Sequence, residues 1–145
     1  MADADEYKRG QIRYRERARQ IVDFSGLRYD LITPTDIDGV IAPITVDGLI
    51  EFQRRCYVFV EFKHVGNPVM PGGQKWAFER IADDLRKPAV VLLAVHDTTP
   101  DEDIDAAAAR ERAVYWRGKW TDMDDKYDVH TLATKFLRKY GGLPA

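Results

Sequence analysis

Apolar residues recur along this chain with two periods, and the changes of period mark its elements. Between residues 6 and 24, Tyr14, Ala18, Ile21 and Val22 form one stripe at helical spacing, while Arg9, Arg13 and Arg17 stack four apart on another face. A first helix is therefore expected there, ended by Gly26. Three stretches with β character follow, 29–32 with 37–42, 46–52 and 56–64, separated by Pro34, Pro43 and the polar turn Gln53-Arg54-Arg55. The third is the richest in β-branched and aromatic residues, which predicts a central strand.

A loop rich in Gly and Pro, 66–73, leads into a second helix, 73–86, that stops before Pro88 and carries Gln74, Phe78, Ile81 and Leu85 on one face. The run Ala89 to Val95 is continuously apolar, the signature of a strand buried on both faces. Thr99-Pro100-Asp101 reads as a helix start, with a short Ala-rich helix expected to reach Arg110. An edge strand is expected over 114–119, and a last helix over 128–140 with Val129, Leu132, Ala133, Phe136, Leu137 and Tyr140 on one stripe, ended by Gly141-Gly142. The order is α-β-β-β-α-β with a C-terminal strand–helix extension. That defines an α/β fold whose central mixed sheet of four to six strands is flanked by helices.

Composition adds boundaries rather than detail. A length of 145 residues suits one domain, and 45% hydrophobic with 32% charged residues describes a globular chain. One cysteine, Cys56, excludes an intrachain disulfide and suits a reducing compartment. No apolar run is long enough to span a membrane, and the acidic N-terminus is unlike a signal peptide, so a cytoplasmic protein without membrane contact is expected. The net charge of −2 argues against a protein that coats nucleic acid, although the arginines of 8–28 concentrate positive charge locally. Arg9, Arg13 and Arg17 are the residues by which the first helix would meet a phosphate backbone; their bland reading is a solvated helix face.

The candidate chemistry lies on the third strand. Alternation sends Glu61 and Lys63 to one side and Val60 and Phe62 to the other. A carboxylate and an ammonium are costly on so apolar a strand unless they have work to do. Asp38, before Gly39, is expected on an adjacent strand, so that Asp38 and Glu61 supply hard oxygen ligands for Mg²⁺ or Mn²⁺, with the backbone carbonyl of Phe62 as a further ligand. Lys63 would then position or deprotonate a water, or stabilise charge in the transition state, and Gln74 would hydrogen-bond from the inward face of the next helix.

These residues, in this order, resemble the PD-(D/E)XK nuclease superfamily. Asp38-Gly39 is similar to its first motif, Glu61-Phe62-Lys63 to its (D/E)-x-K, and Gln74 to the helix glutamine of its RecB-like and VRR-type branches. The wording Thr-Asp-Ile-Asp-Gly-Val-Ile, Val-Glu-Phe-Lys-His and Gly-Gly-Gln looks like small phage or mobile-element members. The resemblance covers a core of about 10–96, leaving 97–145 as an extension of a single domain spanning 1–145. It implies a restriction-endonuclease-like αβββαβ core and metal-dependent hydrolysis of phosphodiesters, DNA favoured over RNA, in phage or bacterial DNA processing. So small a core leaves little surface for gripping a duplex, so a homodimer is also expected. The alternative is a nuclease fold kept as a binding module without catalysis.

No proline directly precedes Asp38, and Asp30 and Asp36 compete with it for the first motif; Glu16 is a candidate acid on the first helix. Asp38 is preferred because Gly-Val-Ile follows it and the interval to Glu61 is shorter. The remaining candidates have blander readings. His64 is read as incidental and His96 has no role, while Trp76, Trp116 and Trp120 are packing residues before they are base-stacking ones. Gly72-Gly73-Gln74 also matches the tripeptide of peptidyl-tRNA hydrolases, but here it runs straight into an apolar-striped helix with no basic tail after it.

Overall fold

The apolar strands join into one six-stranded sheet covered on both faces. The computed structural model describes residues 22–23, 25–27, 35–41 and 44–144, with backbone alone for residues 25, 35–41 and 44–48. Its strands are β1 (Val22–Asp23), β2 (Thr35–Ile41), β3 (Ile44–Phe52), β4 (Cys56–His64), β5 (Ala89–His96), β6 (Ile104–Asp105), β7 (Arg110–Trp116) and β8 (Lys119–Asp122). Helix α1 spans Gly72–Asp84 and α2 spans Val129–Phe136. The sheet order is β2-β3-β4-β5-β7-β8, with β1 and β6 paired separately. Strands β4 and β5 run parallel and the other neighbours antiparallel, so the sheet is mixed.

Strand β5 is central because no position along most of its length is polar. Val90, Leu92 and Ala94 enter one core with Val58, Val60 and Phe62 of β4, while Val91 and Leu93 enter the other with Phe59 and Phe78. Helix α1 covers the second core and crosses from β4 to the parallel β5. It is pinned at its C-terminal half, where the Tyr115 hydroxyl donates to Asp83 at 2.8 Å and Trp120 Nε1 donates to Glu79 at 2.7 Å. The first core is closed by α2, whose N-cap Asp128 accepts from the Thr131 amide at 2.7 Å. A π-helical turn, Leu137–Gly141, extends α2, and Gly142 ends it at φ 76°. Gly141 lies against the β3–β4 hairpin. A Cβ there would stand 2.6 Å from Phe52 Cδ1 and 3.2 Å from Cys56 Sγ.

Three expectations are corrected, and a fourth falls outside the described residues. The first helix does not extend to residue 24, because Val22–Asp23 is a strand paired with Ile104–Asp105 and Asp23 accepts from the Ala106 amide at 2.9 Å; its earlier residues, with Arg9, Arg13, Arg17 and Glu16, lie outside the described residues. The stretch 29–32, with Asp30, also lies outside them, and the strand that follows begins at Thr35. The Ala-rich helix does not form: after a turn held by Thr99 to Asp101 and Glu102, the chain makes β6 and then buries Ala106 and Ala109 in the core. The single edge strand expected over 114–119 is instead the end of β7, a two-residue turn and the start of β8, the strand at the sheet edge. Arg117 and Gly118, at φ 48° and 85°, reverse the chain between β7 and β8, the geometry that matches strand twist in a two-residue loop.

Candidate functional site

On β4, Phe59 packs toward α1, so Glu61 and Lys63, two and four residues on, share that face. Glu61 is only 3% exposed, although it is charged and near the end of its strand. Lys63 Nζ sits 3.2 Å from Glu61 Oε1 and is itself partly buried, so each charge offsets the desolvation of the other. Phe62, between them, places its side chain in the opposite core.

Helix α1 brings Gln74 to the same end. Phe59 and Phe78 meet edge-to-face with centroids 6.2 Å apart, which fixes how the helix lies on the strand. Gln74 is one turn before Phe78, about 6 Å along the axis. Glu61 is two residues beyond Phe59, about 6.6 Å along the strand. Because α1 returns the chain from the end of β4 to the start of β5, both displacements run in the same direction. Gln74, half-buried in the first turn, therefore stands above the level of Glu61.

The acidic partner expected on an adjacent strand is placed differently. Asp38 belongs to β2, and β3 lies between β2 and β4, so its backbone is two strand spacings, about 9–10 Å, from that of β4. It occupies a register shift: Ile37 pairs with Leu49 but Gly39 pairs with Val46, leaving Asp38 opposite both Asp47 and Gly48. Gly48 in turn pairs with Val60. Asp47, the next residue outward, thus reaches the level of Glu61 on the strand directly beside it. Sequence reading passed over Asp47, although Asp47-Gly48 repeats the Asp38-Gly39 dipeptide. Asp36, paired with Ile50, lies farther from that end of the sheet.

The other candidates separate from this group. His64 and His96 meet edge-to-face at 5.5 Å, at paired positions of β4 and β5. His64 Nδ1 accepts from the Gly66 amide, and burial, with His64 adding, pushes His96 below its ordinary 6.5. Trp116 and Trp120 pack within the fold, whereas Trp76 is 59% exposed on the outer side of α1. Among the described residues, no three His, Cys, Asp or Glu side chains converge to hold a metal, and the side chains of Asp38 and Asp47 are not among those described. No helix among the described residues is long and apolar enough to cross a membrane. No family model, curated protein or solved structure matches this chain. What its geometry defines is an α/β fold with a mixed sheet, on which a buried carboxylate pairs with a partly buried ammonium beneath the first turn of a helix that carries a glutamine.

Proposed function

We propose that this protein is a Mg²⁺- or Mn²⁺-dependent nuclease built on a restriction-endonuclease-like αβββαβ core, with DNA as its favoured substrate. The observation that carries the reading is Glu61, 3% exposed, paired at 3.2 Å with Lys63 below Gln74. Glu61, the Phe62 carbonyl and an aspartate of the neighbouring strands, Asp47 or Asp38, are hard oxygen donors that suit such a cation. Once bound, the metal would polarise the phosphodiester and acidify a water. The chain's own residues supply the remainder. Lys63 lies 3.2 Å from Glu61 Oε1 and presents its ammonium to an incoming phosphate oxygen. Gln74 offers amide donors and an acceptor to orient water or phosphate, and the apolar strand around the pair excludes bulk solvent.

The test is incubation of purified protein with linear, nicked, branched and single-stranded DNA and with RNA, in Mg²⁺ or Mn²⁺. Cleavage of at least one substrate is expected, with Lys63→Ala lowering the rate by about 10² to 10⁴-fold. No cleavage of any substrate, or a Lys63→Ala variant as active as the parent, overturns the assignment. Calorimetric titration with Mg²⁺ separates an enzyme from an inert scaffold: binding is expected in the parent and lost in Glu61→Gln.

A further inference from the structure

The face of the sheet opposite Glu61 carries a concavity. Between α2 and strands β5, β7 and β8 lies a cleft of about 330 Å³, within the range of small-ligand sites. Val90 and Leu92 form its floor, and Met123, Leu132, Trp116 and Phe136 its walls. Trp116, Phe136 and Tyr140 hold one another, with ring centroids 4.9 to 5.4 Å apart, so this wall is a fixed aromatic surface.

The mouth differs from the floor. Lys135 and Lys139 line the cleft one helical turn apart, and both are exposed. The Arg117 guanidinium lies 4.6 Å from the Trp116 ring centroid, on the same aromatic cluster. No carboxylate lines the cleft. Two lysines at the mouth of an apolar slot are complementary to a ligand with an uncharged hydrophobic body and one anionic end. Neutral polar side-chain groups in the lining are limited to the hydroxyls of Thr121 and Tyr140 and the indole N–H of Trp116. The hydrogen-bonding edge of a nucleobase would therefore be left largely unsatisfied, which favours an aryl or alkyl body over a nucleotide.

We infer that this cleft is a binding site for a small amphipathic anion, its aryl or alkyl body against Leu92, Met123 and Leu132 and its carboxylate or phosphate between Lys135 and Lys139. The site is independent of the proposed nuclease chemistry, which lies across the sheet.

The probe is 2-naphthoate, flat, apolar and singly charged, titrated calorimetrically into the intact chain alongside neutral 2-naphthalenemethanol and AMP. Saturable one-to-one binding of 2-naphthoate is expected. The double variant Lys135→Gln with Lys139→Gln, altered only at exposed positions, should weaken it by about fivefold or more while changing the neutral alcohol little. Leu132→Trp, which fills the slot, should abolish both, its folding checked by near-ultraviolet dichroism. Absence of saturable naphthoate binding, unchanged affinity in the lysine variant, or tighter binding of AMP than of naphthoate overturns the proposal.

Discussion

Glu61 and Glu111 are two carboxyls buried in one sheet, and they meet the cost of burial differently. Glu61 keeps Lys63 at 3.2 Å. Glu111, fully buried on β7 and paired in register with Ala94, has neither carboxyl oxygen hydrogen-bonded among the described residues. Burial, with Asp128 adding, raises it well above its ordinary 4.5. Above 4.5 the unfolded chain has released this proton while the native state still holds it, so the native state binds more protons and stability falls as pH rises. Thermal melts should show a loss approaching about 1.4 kcal/mol per pH unit above that value, and Glu111→Gln should flatten the dependence. An unchanged slope in the variant would remove Glu111 as its source.

Residue-level reading of the acidic partner depends on register. Asp38-Gly39 and Asp47-Gly48 are equivalent as words, and which of them neighbours Glu61 is decided by strand order and by the shift between Ile37 and Gly39. Neither is visible in hydrophobic periodicity, since a one-residue slip leaves the composition of a strand unchanged. Asp47→Ala should therefore lower Mg²⁺ affinity more than Asp38→Ala in parallel titrations; the reverse order would restore the assignment of Asp38.

Among the elements, those with a strong period were legible. Helices α1 and α2 and strands β4 and β5 stand within two residues of their expected bounds, apart from the end of α2, where Leu137–Gly141 forms a π-helical turn rather than the α-helix expected to Tyr140. The segment from Thr99 to Arg110 was misread because alanine favours a helix only where tertiary contacts do not compete. Here Ile104–Asp105 is held by β1, and Ala106 and Ala109 are worth more in the core than in an exposed helix. The Gly141-Gly142 ending was read as a stop signal, but Gly141 is also a point of contact between elements. Arg55 Nη1 donates to its carbonyl at 2.9 Å, and Phe52 leaves no room for a methyl group. Gly141→Ala should cost about 1–3 kcal/mol of stability, measured by urea denaturation, through overpacking against Phe52. A neutral substitution would show that the hairpin can yield.

At the scale of the whole molecule, one sheet separates two cores with different work. The α1 face carries buried Glu61 with its partner Lys63, and the α2 face carries the cleft and Glu111. The two-sided burial of β5 was readable from its unbroken apolar run. The pairing of β1 with β6 was not, because two-residue strands have no period to detect.

The contact of Gly141 with the hairpin also turns Cys56 into a clock. The thiol is fully buried beneath that turn, and burial, with Glu51 adding, pushes it up to about 11, so the folded protein offers a thiol-specific reagent almost no thiolate. Reaction with a disulfide reagent at pH 8 must then wait for the C-terminal turn to lift from Phe52. Its rate counts those openings, one chain at a time, without unfolding the population. Native protein should label slowly, and Gly141→Ala about tenfold or more faster; equal rates would mean that Cys56 is reached by another door.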